Sequence, residues 1–311
     1  MKMKMKNISH VSQFYLLRVS DDPELQPLLC GLFLSMFLIS VLGNLLIILT
    51  VISFSHLHTP MYFFLSILSM ADIGFISTTV PNMVAELQIH SSAISYVGCL
   101  TQMSFFIIFA CMDSMLLAVM AYDRFVAICH PLHYAIIMNP CRCGVLVLMS
   151  FLASLCESLL HNLSALQVKC FKDITIANFF CHPSQLLNLG CDNTFKNNIP
   201  MYVIGVMLGV FPLLGILISY FKIISSILRI TSSRGRYKAF STCGSHLAVV
   251  WLFYGTGLGE YFGSLLSHSS GNNVIASLMY TVVTPMLNPF IYSLRNQDIS
   301  NSLKRLHFCT V

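Results

Sequence analysis

The sequence predicts an all-α membrane protein: a seven-transmembrane helix bundle followed by a short cytoplasmic amphipathic helix. Of its 311 residues, 56% are hydrophobic and only 9% are charged. A soluble domain of this length needs far more charge to cover its surface. The apolar residues are also gathered into long runs, and a helix needs about 20 of them to cross a bilayer. These observations favour a membrane protein over a soluble one.

Seven apolar windows are long enough to span the bilayer. Because backbone groups in lipid must be paired within their own segment, each window is predicted to be a helix. The windows are 26–53, 60–85, 97–125, 142–164, 198–228, 239–265 and 273–294. They divide the chain into an N-terminal tail at 1–25, a membrane domain at 26–294 and a C-terminal tail at 295–311. The start MKMKMK precedes residues too polar for a signal peptide, so the first window is expected to be an uncleaved anchor.

The N-terminus is predicted to be extracellular. In that orientation ten of the 17 Lys and Arg residues are cytoplasmic and seven are extracellular, a weak positive-inside bias. The tail also carries a glycosylation sequon at Asn7. Cys99, Cys170, Cys181 and Cys191 fall on the same side, which indicates disulfides in an oxidising compartment. Four cysteines allow three pairings, and the residues alone do not choose among them.

Four carboxylates lie inside the apolar windows, where ionisable groups are candidates for function. They are Asp72, Asp113, Glu157 and Glu260. Asp113 follows Cys99 by 14 residues, which places it roughly 21 Å below the outer edge of the membrane. Asp72 lies at a similar depth if the second and third helices are neighbours. The sequence therefore predicts two acids close together inside the bundle.

Two acids at one depth repel each other unless something positive lies between them. We therefore expect Asp72 and Asp113 to share a sodium ion or a proton. The alternative is that each acid is hydrogen-bonded separately, for example to Asn44 and Asn288. An intramembrane aspartyl protease is a weaker interpretation, because neither acid lies in a Gly-x-Gly-Asp motif. We expect no enzymatic activity and no other metal site.

Prolines interrupt several of the predicted helices. Each one removes a backbone hydrogen bond and permits a bend. A bundle of bent helices with charges near its axis can adopt two packings, which favours a switch over a static anchor. These prolines are Pro81, Pro212, Pro285 and Pro289.

Several stretches, in this order, carry a resemblance that spans nearly the whole chain. They include LHTPMYFFLSILSMADI at 57–73, MAYDRFVAICHPLHY at 120–134, KAFSTCGSHLAVV at 238–250, FYGTG at 253–257 and PMLNPFIYSLRN at 285–296. On these residues the sequence resembles the rhodopsin-like (class A) G-protein-coupled receptors and, among them, the olfactory receptors. The resemblance implies a receptor that couples to a heterotrimeric G protein.

The resemblance also implies a switch at the cytoplasmic end of the bundle. Arg124 would pair with the adjacent Asp123 at rest and swing towards Tyr220 and the G protein on activation. A half-buried Arg needs a partner, and an exchange of partners separates two states. The residues assigned to the switch are Asp123, Arg124, Tyr220, Asn288, Pro289 and Tyr292.

The resemblance selects one of the three disulfide pairings. It implies Cys99–Cys181, which ties the third helix to the long extracellular loop, and Cys170–Cys191 within that loop. It also supports a sodium-like site at the paired acids of the second and third helices. His182 departs from the family pattern, which usually has an acid after the second cysteine.

A ligand pocket is expected between the third, fifth, sixth and seventh helices, under the long loop. Ordinary helix packing is the alternative for each lining residue taken singly. The lining is mostly apolar, so we expect a small, neutral, hydrophobic ligand. If Glu157 or Glu260 faces the pocket, a basic or hydroxylated ligand also becomes an alternative. The residues assigned to the pocket are Phe106, Ile107, Ala110, Cys111, Ser114, His182, Ile204, Met207, Leu208, Tyr254, Gly257, Leu258, Tyr261, Leu278 and Thr281.

The function implied is that of an odorant receptor in the plasma membrane. It would bind small hydrophobic volatiles and activate a stimulatory G protein, which raises cyclic AMP. Two alternatives remain open: a receptor of the same fold with a non-olfactory small-molecule ligand, and a relic that signals poorly. A transporter or channel is disfavoured, because the two halves of the chain are not repeats of each other.

Overall fold

The computed structural model describes residues 11–20, 22–89, 91–168, 170–191, 194–229, 232–266 and 270–309. Asn7, the predicted glycosylation site, lies outside these residues. The long helices of the described chain are α1 (Gln26–Ser53), α2 (Pro60–Ile89), α3 (Tyr96–Cys129), α4 (Pro140–Leu166), α5 (Thr194–Leu228), α6 (Ser233–Leu266), α7 and α8 (Gln297–Cys309). Helix α7 has three consecutive pieces: Ser270–Leu278, the π-helical turn Met279–Val283, and Thr284–Arg295.

The helices form the predicted seven-helix membrane bundle. Within the described residues, six segments are long and apolar enough to cross a membrane: Gln26–Ser53, Pro60–Ile89, Tyr96–Cys129, Pro140–Leu166, Gly205–Leu228 and Val274–Ser293. The further helix, α6, has 34 residues and packs against α3, α5 and α7. The predicted fold class is therefore confirmed.

Several helices extend beyond the apolar windows that predicted them. Helix α6 begins at Ser233, six residues before its window, because polar residues continue the helix outside the bilayer. Helix α4 begins at Pro140, where the side chain of Asn139 caps it by accepting a hydrogen bond from the Arg142 N–H at 2.9 Å. Hydrophobicity marks only the part of a helix that lies in lipid, so it underestimates helix length.

Helix α3 lies at the centre of the bundle and packs against α2, α4, α5 and α6. In the apolar windows of α2 and α3, 56% of the residues are buried, against 22% in those of α1 and α4. The remaining apolar side chains of α1 and α4 therefore face outward, where lipid would cover them. The functional candidates concentrate around α3 because it contacts most of the other helices.

Helix α7 contains a π-helical turn directly before Pro285. At the end of this turn the Thr284 N–H donates to the carbonyl of Met279, five residues back. The Thr284 hydroxyl donates to the same carbonyl at 2.9 Å. A π-turn inserts an extra residue. It therefore rotates the preceding segment of α7, Ser270–Leu278, relative to a regular α-helix.

A small sheet, which hydrophobic patterning did not predict, covers part of the extracellular side. Strand β1 (Gln13–Leu16) lies between β2 (Ala93–Ser95), to which it is antiparallel, and β3 (Thr175–Ile176), to which it is parallel. Phe14 is fully buried beneath the sheet and meets Phe171 edge-on at 5.3 Å between ring centroids. The tail therefore holds the long loop against the bundle.

Two disulfides fix the long loop between α4 and α5. Cys99 at the start of α3 is bonded to Cys181, and Cys170 is bonded to Cys191. This is the pairing that the resemblance implied. The first bond anchors the loop directly above the centre of the bundle, next to His182.

Helix α8, the expected amphipathic helix, packs against α1 and α7. Its buried face carries Ile299 and Ser302, and the Ser302 hydroxyl is 3.1 Å from Nε2 of His56. The Tyr62 hydroxyl of α2 donates to Asp298 at 3.0 Å. These bonds attach α8 to the turn between the first two helices and to the start of α2.

Candidate functional site

A cavity of about 390 Å³ lies in the extracellular half of the bundle, among α3, α4, α5, α6 and α7 and under the loop that Cys181 anchors. Most of its wall is apolar or aromatic. Its polar groups are few, and they come from α3, α4, α6, α7 and the loop. A concave, mostly apolar site with a small number of polar groups is typical of small-molecule binding.

Most of the predicted pocket residues line this cavity. They are Phe106, Ile107, Ala110, Cys111, Ser114, His182, Leu208, Tyr254, Gly257 and Leu258. The α3 residues recur at helical spacing on the side of the helix that faces α5 and α6. Ser114 and Tyr254 meet across the cavity, with their hydroxyl oxygens 2.8 Å apart.

Three predicted residues are not part of the described lining. Met207 is 43% exposed on the outer side of α5. Thr281 is buried and donates to the carbonyl of Ser277, and Leu278 packs against the core. On α7 the cavity is lined by Tyr280 instead, because the π-turn rotates the helix away from the register that regular spacing predicts. The side chains of Ile204 and Tyr261 lie outside the described part of the chain.

An acid–base pair lies at the extracellular end of the cavity. Nε2 of His182, in the loop, is 3.2 Å from Oε1 of Glu260 on α6. Ser277 of α7 donates to the same carboxylate at 3.4 Å, and Asn178 of the loop donates to the Ser277 hydroxyl at 2.9 Å. The carboxylate of Glu260 therefore connects the loop, α6 and α7, and it faces the cavity with its partners already in place.

The α4 wall of the cavity carries Glu157 and His161. Nδ1 of His161 donates to the backbone carbonyl of Glu157 at 3.0 Å. The carboxylate lies against the Cys111 thiol of α3. Because these side chains are one helical turn apart, they present two polar groups on the same face of α4.

Aromatic rings connect the loop to four helices along the cavity. Phe180 of the loop is 4.9 Å from Phe106 of α3, and Phe75 of α2 is 5.3 Å from Phe106, between ring centroids. Tyr280 of α7 contacts both Phe75 and Phe253 of α6. A ligand in contact with this layer therefore touches residues of α3, α6 and α7 at once.

At the cytoplasmic end of α3, Asp123 is buried and accepts a hydrogen bond from the Tyr134 hydroxyl at 2.8 Å. No hydrogen bond or ion pair joins Asp123 to Arg124 in the part of the chain that the structure describes. Within the described chain, Arg124 acts on the Asp123 carboxylate through its charge, without direct contact, so the resting pair stays a prediction. Adjacent residues of a helix do not face each other, so a tyrosine from the intracellular loop reaches the carboxylate instead.

Tyr220, the predicted partner of Arg124, is hydrogen-bonded to a histidine. The Tyr220 hydroxyl of α5 is 2.9 Å from Nδ1 of His246 on α6, and Nε2 of His246 donates to the carbonyl of Leu117 on α3 at 3.0 Å. All three groups are buried, so this chain of bonds joins α3, α5 and α6. Of the switch residues on α7, Tyr292 is buried, with no hydrogen-bond partner for its hydroxyl among the described residues.

The sequence matches a known receptor family. A family model described as olfactory receptor matches residues 33–309. The chain belongs to the olfactory receptor family. It is therefore a G-protein-coupled receptor of the plasma membrane that spans the bilayer several times, and it is not an enzyme.

Individual olfactory receptors match along nearly the full length. Human olfactory receptor 7E24 is 67% identical over 302 residues, which cover 97% of this chain and 89% of the relative. Olfactory receptor 7E178 of Mus musculus is 63% identical, over 98% of this chain and 92% of its own length. Human olfactory receptor 7D4 is 60% identical, over 98% and 97%. The resemblance drawn from the sequence motifs is thus confirmed.

The two predicted acids of this olfactory receptor, Asp72 and Asp113, lie on the cytoplasmic side of the cavity. Nδ2 of Asn288 donates to both oxygens of Asp72, at 2.9 and 3.1 Å. Asn44 donates to the backbone carbonyls of Ser40 and Pro285 and not to either acid. The alternative of two separately bonded acids is therefore met at Asp72 alone.

The second acid leaves an oxygen available. Asp113 is buried and interacts electrostatically with Asp72. Its Oδ1 and the Oδ1 of Asn288 have no hydrogen-bond partner among the described residues. Hard cations prefer oxygen ligands of this kind. These residues fit a sodium ion.

The polar groups of the cavity wall were the hardest part of the site to predict. The sequence predicts that Glu157 and Glu260 are intramembrane acids, but hydrophobicity does not determine which way each faces. It gives no signal for His161. His161 is four residues after Glu157, and that helical spacing could have placed the two on one face.

Proposed function

We propose that this receptor binds a small, mostly neutral, hydrophobic volatile in the core cavity and activates a stimulatory G protein, which raises cyclic AMP. The observation that carries the proposal is the cavity of about 390 Å³ beneath the Cys99–Cys181 loop, with a mostly apolar wall. Small-molecule sites usually measure about 300–1,000 Å³. Because few polar contacts are available, the affinity should be modest.

Helix α6 supports a route from the cavity to the G-protein side. Phe253 and Tyr254 line the cavity, and His246 lies two turns closer to the cytoplasm on the same helix. A ligand that moves α6 would weaken the bond between His246 and Tyr220. The freed tyrosine would become a partner for Arg124, and the two sets of bonds would define two states.

We also propose that Asp72 and Asp113 share a sodium ion or a proton. The free oxygens of Asp113 and Asn288 support this proposal, since two buried acids that interact directly are unfavourable without a positive charge. When bound, the cation would offset the charge of the acids. The residues that would hold it are Asp72, Asp113 and Asn288.

The test is cyclic AMP output in cells that display the receptor at their surface. The cells are exposed to a panel of small hydrophobic volatiles that are mostly neutral and include primary amines, beside cells that display Arg124→Ala at the same density. We expect at least one volatile to raise cyclic AMP in the wild type and none to do so in the variant. Silence across the panel, or a response that persists in the variant, would contradict the proposal.

A further inference from the structure

The α4 wall of the cavity presents two hydrogen-bond acceptors to the same point. The backbone carbonyl of Glu157 can only accept, so Nδ1 of His161 carries the proton of their 3.0 Å bond. In the neutral ring that this bond favours, Nε2 is then an acceptor. The carboxylate of Glu157 supplies acceptor oxygens one turn away. Both residues line the cavity.

A glycine on α5 leaves room where these acceptors meet. A Cβ at Gly205 would be 3.6 Å from Oε1 of Glu157, and 3.7 and 3.9 Å from Cε1 and Nε2 of His161. These are ordinary contact distances, so a methyl group would fit there without a clash. Gly205 therefore keeps a notch, about one methyl group in size, beside both acceptors.

The two cavity carboxylates differ in what already satisfies them. Glu260 has His182 at 3.2 Å and the Ser277 hydroxyl at 3.4 Å. Glu157 has no ion pair in the described part of the chain, and its neighbour Cys111 offers only a thiol, which is a weak donor. A half-buried carboxylate without a strong donor costs free energy, which a donor from the ligand would recover.

We propose that the ligand carries an O–H or N–H donor on a short hydrophobic body, and that this donor lies in the Gly205 notch, where a hydroxyl donates its one hydrogen to Glu157 and an amine donates to both Glu157 and His161. The ligand class is a primary alcohol or a primary amine. This inference rests on the proposed function, because its readout is activation of the receptor. An ether or ketone of the same size has no donor and would leave both acceptors unsatisfied.

A matched ligand series tests the donor. Unbranched compounds with the same number of heavy atoms are compared as the primary alcohol, the primary amine, the methyl ether and the ketone. We expect the EC50 of the alcohol or the amine to be lower than that of the ether by about tenfold or more. Equal potency of the ether or the ketone would overturn the inference. A lower EC50 for the amine than for the alcohol identifies an ionic donor, and the reverse identifies a hydroxyl.

Two variants of α5 test the notch with the same added methyl group. Gly205→Ala fills the space beside the acceptors, whereas Gly209→Ala adds a methyl one turn further along, with nothing within 4 Å. We expect Gly205→Ala to raise the EC50 of the donor ligand about tenfold and to change that of the ether much less. Gly209→Ala should affect both ligands alike. If both variants change the two ligands in parallel, the notch does not select the donor and the inference fails.

Variants of Glu157 test the acceptor. Glu157→Gln keeps the size and one acceptor oxygen, and Glu157→Leu removes both oxygens. We expect the glutamine to weaken the amine about tenfold or more and the alcohol less, and the leucine to weaken both. If agonists exist but neither variant changes their relative potency at equal surface density, this inference is wrong while the proposed function stands. If no compound acts, or if agonism survives Arg124→Ala, the proposed function fails and takes this inference with it.

Discussion

The cavity and the cytoplasmic end of the bundle differ in how their polar groups are satisfied. At the cytoplasmic end the groups bond to one another: Asp123 to Tyr134, and Tyr220 to His246. On the α4 wall of the cavity, Glu157 has no strong donor among the described residues. In the first region these two pairs are satisfied within the chain and hold one state. On the α4 wall the missing hydrogen-bond donor must come from a ligand. This difference distinguishes a binding site from a switch.

The largest expected effect comes from breaking the disulfide that holds the loop over the cavity. Cys99→Ser breaks the disulfide to Cys181, which closes a loop with a sequence separation of 82 residues. Loss of a native disulfide typically costs about 2–5 kcal/mol. We expect most of the surface display to be lost, as measured by labelling of intact cells. Cys156→Ser, at an exposed free cysteine of α4, is the matched control. Equal display of the two variants would show that the loop does not need this bond.

The next effect concerns the acids that lie between the two regions. Sodium should stabilise the purified receptor by about 1.4 kcal/mol at ten times its Kd, and Asp113→Asn should abolish the effect. Thermal unfolding is measured in detergent, with choline replacing sodium so that ionic strength stays constant. Stability that depends on pH but not on sodium would indicate the shared proton. Dependence on neither would contradict the shared ion and the shared proton alike.

Substitutions of Tyr220 and of His246, which are hydrogen-bonded to each other, distinguish the two states of the switch. His246→Phe removes the bond to Tyr220 and the bond to the Leu117 carbonyl, and it leaves the Tyr220 hydroxyl available to Arg124, so basal cyclic AMP should rise about fivefold or more. Tyr220→Phe breaks only the bond to His246 and removes the hydroxyl from both states. It should lower the ligand-stimulated maximum without raising basal output. Identical behaviour of the two variants would mean that Tyr220 has no role in the active state.

The smallest effect is expected at Tyr134. Tyr134→Phe loses the bond to Asp123 and should lower the free energy of unfolding by about 0.5–1.5 kcal/mol. Burial and the Asp123 carboxylate raise the pKa of Tyr134. The stability from its protonated hydroxyl is therefore fully present below the ordinary tyrosine pKa of about 10, and is lost only as the pH rises through the raised pKa.

Thermal unfolding at pH 7 and pH 9 should thus give the same difference between wild type and Tyr134→Phe. Tyr122→Phe, at an exposed tyrosine of α3, is the control and should change little. A difference that disappears between these two pH values would contradict the assigned hydrogen bond.

The membrane helices could be predicted from the sequence because lipid demands long apolar runs with internally paired backbones. Hydrophobicity did not determine their polar ends, such as the first turns of α6 from Ser233. It also missed the sheet around Phe14, since strands of two to four residues form through contacts that are distant in sequence. The disulfides needed the family resemblance, because residue types alone left three pairings open.

The candidate site was predictable where helices are regular. Helical spacing placed Phe106 and Ser114 on the cavity side of α3. It failed on α7, where a π-turn brings Tyr280 to the cavity instead of Leu278. It could not show that Asp123 bonds to Tyr134, because that contact depends on how the intracellular loop folds back.

If the cavity and the cytoplasmic switch are coupled, the volatile and the G protein must each change the affinity of the receptor for the other. Measuring this reciprocal effect is the most direct test. The Kd of the most potent volatile is measured on the purified receptor with and without a nucleotide-free stimulatory G protein. Coupling requires each ligand to raise the affinity of the other by the same factor, typically about 5–150-fold. We expect the volatile to bind more tightly in the presence of the G protein, and Arg124→Ala to remove the difference. Equal affinity with and without the G protein in the wild type would contradict the coupling.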